Sequence, residues 1–258
     1  MIKVLPVIDW IVPDWPAPAN VDAMFTTRNI GAAENKGIYA GLNLASHVDD
    51  DPLIVQQNRD RLRQYLPDHP RWLTQVHGSK PVWIDSDNET LEADAAMSRR
   101  PGVVCAVLVA DCLPVLLCDM AGSVVGIAHA GWRGLAGGVI ENTVRELRKF
   151  SNSDRIIAWL GPAISSRHFE VGDEVREMFT TYDYRAACAF LPGKETGKWY
   201  ANLSDLARQR LSHAGVNQVY GGDLCTFSNP ERFYSYRRDG RTGRMAGLLW
   251  MTQSAGMQ

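Results

Sequence analysis

The chain has 258 residues, 45% hydrophobic and 22% charged, with a formal net charge of -2. That composition is globular and long enough for one large domain or two small ones. A pI near 6.3 gives no electrostatic reason to expect nucleic acid or an anionic membrane surface as a partner.

Residues 1–13 are apolar, but Asp9 and two prolines interrupt them and no small-residue cleavage site follows. They are read as a first strand, not a signal peptide. A helix is predicted over 55–65. Short, β-branched apolar runs at 103–110, 115–118 and 123–129, each bounded by turn residues, read as buried strands. A helix over 135–150, a strand over 155–162 and helices over 171–182 and 202–214 follow, the last with Asn202 as N-cap and Gly215 as its stop. A strand over 245–251 closes the pattern. No stretch reaches the roughly 18 uninterrupted apolar residues of a spanning helix, since even 103–117 is broken by Asp111 and Pro114.

With no internal repeat, low-complexity run or Gly/Ser linker, residues 1–258 are read as one domain. Strands alternating with helices give a mixed α/β domain. The connections among the strands at 103, 115 and 123 are too short for helical crossovers, so part of the sheet is expected to be antiparallel rather than doubly wound. Five cysteines, an odd number with no C-x-x-C pair, suit a reducing, cytoplasmic compartment.

Three segments place reactive side chains at the edge of an apolar run: Thr74-Gln-Val-His77-Gly, Ala110-Asp-Cys112-Leu-Pro and Ala128-His129-Ala-Gly-Trp-Arg133-Gly. Two imidazoles and a thiolate form a good Zn²⁺ ligand set, and three protein ligands leave a fourth position open for catalysis. Spacings of 35 and 17 residues are not local chelating spacings, so the fold must bring the donors together. The plain alternative is a turn histidine and a buried filler cysteine. Arg133 and the helix that follows it offer an anion site, or simply a glycine turn. The stretch 233–244 mixes four arginines, Arg237 among them, with aromatics; it suits a nucleoside site or a solvated hairpin. Glu170 is an acid/base candidate, whereas Asp173 and Glu174 complement a helix dipole.

Together with Thr26-Thr-Arg28, Gly41-Leu-Asn43-Leu, His47-Val, Gly161-Pro-Ala-Ile, Phe169-Glu-Val-Gly and Tyr234-Ser-Tyr-Arg-Arg-Asp-Gly-Arg-Thr-Gly-Arg, these motifs make the chain resemble the YfiH/YlmD-type family, also called the multicopper polyphenol oxidase or laccase-domain family. The resemblance runs nearly end to end. It implies a four-layer α/β/β/α sandwich with mixed sheets and a pocket Zn²⁺ on His77, Cys112 and His129, with Cu²⁺ as the other metal the site would take. It also implies a purine nucleoside phosphorylase acting on adenosine, inosine and methylthioadenosine with phosphate, with adenosine deaminase activity. Arg28, Arg133 and Arg237 are then expected at anion or sugar contacts, Asn43 and His47 as polar pocket groups, and Asp111 as the group orienting the cysteine loop. The partners are nucleoside and phosphate, and the chain is expected to be a monomer or weak homo-oligomer.

The family's oxidase name is the second reading. Zinc transfers no electrons, and a multicopper set would need roughly ten imidazoles, whereas the chain has 6 His. A Cys/His hydrolase editing peptidoglycan precursors, with Cys112 as nucleophile, ranks third, and a zinc-containing ligand-binding scaffold last.

Overall fold

A computed structural model describes residues 8–30, 37–86 and 91–253. The chain opens with β1 (Ile8–Ile11) antiparallel to β2 (Val21–Ile30); the first seven residues of the predicted N-terminal strand lie outside the described residues. Helix α1 (Pro52–Arg63) starts earlier than the apolar pattern indicates, because the Asp51 side chain caps Leu53 N–H and Pro52 occupies the first turn, where no N–H is needed. After β3 (Pro81–Trp83), β4 (Ala95–Ser98), β5 (Cys105–Val109), β6 (Leu113–Asp119) and β7 (Val125–Ala130), the helix predicted over 135–150 is two helices. These are α2 (Trp132–Ala136) and α3 (Val139–Arg148). The break is Gly138, at φ 87, a left-handed backbone that terminates one helix and redirects the chain into the next.

Next come β8 (Ile156–Leu160), β9 (Glu170–Gly172) and α4 (Asp173–Tyr182). The first residues of the helix predicted from 171 are thus strand. Two short strands, β10 (Phe190–Pro192) and β11 (Lys198–Ala201), lead to α5 (Leu203–His213), where Asn202 accepts from Asp205 N–H as the expected N-cap. The chain ends with β12 (Gln218–Gly221), the one-turn α6 (Tyr236–Asp239) and β13 (Met245–Met251).

The strands form a four-stranded sheet ordered β1-β2-β13-β5, a six-stranded sheet ordered β12-β8-β6-β7-β4-β3, and a small sheet ordered β10-β11-β9. The six-stranded sheet is mixed: β12/β8 and β3/β4 are parallel, while β6 is antiparallel to β7 and β8. Alternation of side chains sorts the core into three layers. Leu116, Ile127 and Trp159 of the larger sheet meet Phe25, Val107 and Met245 of the four-stranded sheet between the two. Leu113, Val115 and Ala128 point the other way, onto Leu135, Val139, Val144 and Leu206 of the helices. Met24, Ala106 and Leu248 on the far face of the four-stranded sheet pack on Leu42, Leu62 and Leu66. The result is the expected α/β/β/α sandwich.

One local departure positions the site. The three-residue link between β5 and β6 closes no hairpin, because β5 pairs with β13 and β6 pairs with β7 and β8. The chain instead passes from one sheet to the other at residues 110–112. Among the described residues, no helix is long and apolar enough to cross a membrane.

Candidate metal centre

His129 is the second-last residue of β7 and shares the parity of Val125 and Ile127, whose side chains fill the space between the sheets. Its ring is therefore delivered, buried, to the end of that space. Cys112 is half-buried at the sheet switch, beside Asp111 at φ 94, and His77 is exposed on a loop with its own φ at 58. Positive φ at two non-glycine residues flanking a cluster of reactive groups is strain the surrounding contacts must hold. The donor atoms of His77, Cys112 and His129 all lie within 4.8 Å of one another. Cys112 Sγ is 3.9 Å from His77 Nε2, and the two imidazole rings meet edge to face at 4.8 Å.

What holds the donors is Asp94, at the entry to β4 and fully buried. Its Oδ1 accepts from His129 Nδ1 at 2.8 Å and from His77 N–H at 3.0 Å, while Oδ2 accepts from Gly78 N–H at 2.6 Å and Val76 N–H at 3.2 Å. One carboxylate thus fixes the ring tautomer of His129, leaving Nε2 for a ligand, and clamps the loop that carries His77. The loop is also tied to β5, since the Gln75 amide donates to Leu108 O and accepts from Leu108 N–H at 2.9 and 2.7 Å. Gly131 allows the closest approach: a Cβ there would sit 2.8 Å from Cys112 Sγ.

The donor set fits a tetrahedral ion. Bonds of about 2.0–2.3 Å put ligand atoms roughly 3.3–3.7 Å apart, and the 3.9 Å sulfur–nitrogen separation is only slightly wider. Burial pushes the Cys112 thiol up, but the His129 and His77 rings outweigh it and bring it well below the usual thiol range. Burial likewise pulls His129 down, yet Cys112 and Asp94 hold it above its ordinary value. A thiolate ready to ligate is the chemical outcome.

The donors open into a cavity of about 530 Å³, lined also by His47, Gln75, Asp111, Trp132, Arg133, Phe169, Tyr236, Arg237 and Arg244. Arg133 lies over the Trp132 ring at 4.3 Å. With α2 only five residues long, the contribution at that point is the side chain rather than a helix dipole. Arg237 sits over Phe169 at 5.3 Å and donates to Glu170 O at 3.0 Å. The Asp111 carboxylate accepts from Thr226 Oγ1 at 2.6 Å, Ser235 Oγ at 3.0 Å and Arg237 N–H at 2.7 Å, stapling the cysteine loop to α6.

Three sequence candidates lie outside this cavity. Arg28 donates to Ala40 O and Pro230 O and stacks on Tyr234 at 4.7 Å, bracing two loops. Asn43 is fully buried, donating to Asp50 and accepting from Ala45 and Arg244 N–H, a strut under the arginine loop. Glu170 contributes its backbone carbonyl to Arg237, and its side chain does not line the cavity. Arg244 is one of the four arginines of the 233–244 stretch, which the sequence does not rank among themselves, and Asp94 is missed by the sequence reading. A single acid in the apolar run Ala93-Asp94-Ala95-Ala96 was the available signal, because an acid buried there must have partners.

Residues 22–252 match the family described as multi-copper polyphenol oxidoreductase laccase. A Pseudomonas aeruginosa protein named purine nucleoside phosphorylase PA4543 is 50% identical over 94% of this chain and 98% of its own length. Purine nucleoside phosphorylase YfiH of Escherichia coli is 48% identical over 93% of this chain and 98% of its own. Among solved structures, Neisseria meningitidis protein NMB0706 superposes with a TM-score of 0.87 at 46% identity, covering 95% of this chain and 99% of that one. YlmD from Geobacillus stearothermophilus gives 0.86 at 28% identity over 96% and 100%.

Proposed function

The chain belongs to the multi-copper polyphenol oxidoreductase laccase family, the YfiH/YlmD type, and from that membership we propose that it is a zinc-dependent purine nucleoside phosphorylase. It converts adenosine, inosine and methylthioadenosine with phosphate to free base and sugar 1-phosphate, and deaminates adenosine. The observation that carries this reading is that a His₂Cys donor set and three arginines, Arg133, Arg237 and Arg244, open into one cavity with aromatic walls. Relatives at 44–50% identity named purine nucleoside phosphorylases support the same class of reaction.

Phosphorolysis asks for three things: phosphate held at the anomeric carbon, a stabilised cationic sugar, and a base that leaves with its electron pair and takes a proton. Arg133, Arg237 and Arg244 make the cavity wall positive, which favours an anionic co-substrate. Trp132, Phe169 and Tyr236 offer ring faces to a purine. Cys112, His77 and His129 hold the ion, with Asp94 fixing the tautomer of His129. When bound, zinc supplies a Lewis acid with an open coordination position, able to polarise an oxyanion or lower the pKa of water.

A His₂Cys set also accepts a single copper. A multicopper cluster finds little to build on: of 6 His in the chain, His213 pairs with Asp183 and His168 stacks on Phe227, both away from the donor set. The test is chromatography of adenosine and inosine incubated with zinc-loaded protein, with and without phosphate, beside a Cys112→Ala control. Phosphate-dependent adenine or hypoxanthine with ribose 1-phosphate is expected, and lost in the control. Unchanged nucleoside at every phosphate concentration would end this reading in favour of oxidation or hydrolysis.

A further inference from the structure

Among the described residues none of the three arginines lining the cavity is in an ion pair, and of the three Arg244 is the one that is not exposed. Arg244 lies just ahead of β13 and is half-buried. Its Nη1 donates to Thr242 O at 2.7 Å and Gly243 O at 3.0 Å, and its guanidinium lies 5.9 Å from the Tyr236 ring. Among the described residues, its Nε and Nη2 make no hydrogen bond or ion pair. Arg244 lines the same cavity as His77, Cys112 and His129.

Asp111, the one carboxylate among the residues lining the cavity, makes no direct ion pair with Arg244. Its oxygens accept instead from Thr226, Ser235 and the Arg237 N–H. His47 also lines the cavity, its pKa lowered below the ordinary histidine value by partial burial first and by Arg244 and Arg59 next. Among the described residues the Nε–Nη2 edge carries no protein acceptor, and its fork geometry matches two oxygens of one phosphate.

The other arginines are committed differently. Arg237 is spent on the carbonyls of His168 and Glu170 and on the face of Phe169. Arg133 is exposed and lies on Trp132. Arg28 is outside the cavity altogether. We propose that Arg244, through its Nε–Nη2 edge and with His47 beside it, is the phosphate-binding residue of the cavity, holding the nucleophile next to the His77, Cys112 and His129 donor set. This assignment rests on the phosphorylase reading for its role in turnover, but the anion site itself is testable without turnover.

The experiment compares zinc-loaded wild type with Arg244→Met and Arg244→Lys, and with Arg241→Met as a surface control, since Arg241 is exposed and pairs with Asp49. Inorganic phosphate is titrated calorimetrically into each, with acetate at equal ionic strength as a second arm, and KM for phosphate and for inosine is measured separately. Loss of a charge-assisted pair corresponds to about a ten- to hundredfold weakening. That weakening is expected in phosphate Kd and KM for Arg244→Met, with inosine KM changed less than about threefold. Arg244→Lys keeps the charge but loses the fork, so it is expected between the two. Zinc content and melting temperature show that the variants are folded.

If wild type binds phosphate and Arg244→Met binds it equally well, or if acetate binds as tightly as phosphate, the assignment is overturned while the phosphorylase reading stands. If Arg244→Met abolishes phosphate binding but wild type never forms sugar 1-phosphate, the anion site holds and the phosphorylase reading falls. No phosphate binding by wild type overturns both.

Discussion

Replacing Asp94 by Asn removes one negative charge and changes one oxygen into an NH₂ while preserving shape, so the loss can be worked bond by bond. If the amide nitrogen takes the Oδ2 position, it faces the N–H groups of Val76 and Gly78, and both bonds to the His77 loop are lost. If it takes the Oδ1 position, it faces His129 Nδ1 and His77 N–H. The ring must then carry its proton on Nε2, the atom needed for the ion. Either orientation leaves buried donors without acceptors, at about 1–3 kcal/mol for each group. A stability loss of roughly 2–4 kcal/mol in the metal-free protein follows, equivalent at this size to a melting temperature lower by about 4–16 °C. Zinc affinity is expected to fall about ten- to a hundredfold, the usual consequence of losing a carboxylate behind a ligating histidine. Competition against a chromophoric chelator reads the affinity and calorimetry of the metal-free forms reads the stability. Zinc binding by Asp94→Asn within threefold of wild type, with an unchanged melting temperature, would refute the argument that Asp94 organises the donors.

Gly131→Ala puts a methyl 2.8 Å from Cys112 Sγ on an extended backbone that tolerates alanine; zinc content should fall at least about tenfold by chelator competition while metal-free stability changes by roughly 1 kcal/mol or less. Iodoacetamide mapping by mass spectrometry should label Cys112 in chelator-treated protein and spare it in zinc-loaded protein. Cys105 and Cys118, whose thiols burial pushes far up, stay unlabelled in both. Equal Cys112 labelling with and without zinc would count against its role as a ligand. Asp111→Ala strands Thr226, Ser235 and the Arg237 N–H and places alanine at φ 94; a loss of about 3–4 kcal/mol in chemical denaturation is expected.

The strands and α5 were legible because their signals are local: β-branched runs between turns, and an Asn202 cap matched by Gly215. Which sheet a strand joins was not. Residues 110–112 have the length of a hairpin link, and only the competing partners of β5 and β6, β13 and β8, turn that link into a passage between sheets. The same limit applies to the site. His77, Cys112 and His129 are conspicuous by residue type, so the donor set could be read; Arg28, Asn43 and Glu170 lie in equally polar motifs, yet their bonds brace loops. Asp94 carries no motif at all, and Arg244 is one arginine among several until burial distinguishes it.

The centre is assembled from both sheets. His129 rides on β7 of the larger sheet, while the His77 loop is bonded through Gln75 to β5 of the smaller one, and Arg244 feeds into β13 beside it. Cys112 stands where the chain crosses between them. The donor spacing is therefore set by how Ile127 and Leu116 pack against Val107 and Met245 in the layer between the sheets. Close-packed interiors respond to the change of a single methylene, so that layer acts as the spacer of the site, and the strained backbone at His77 and Asp111 is held by the side chains of Asp94, Thr226 and Ser235. Preorganisation here comes from burying the supporting hydrogen bonds rather than from rigid loops, which explains how the exposed His77 keeps a defined place beside Cys112 and His129 on a short turn.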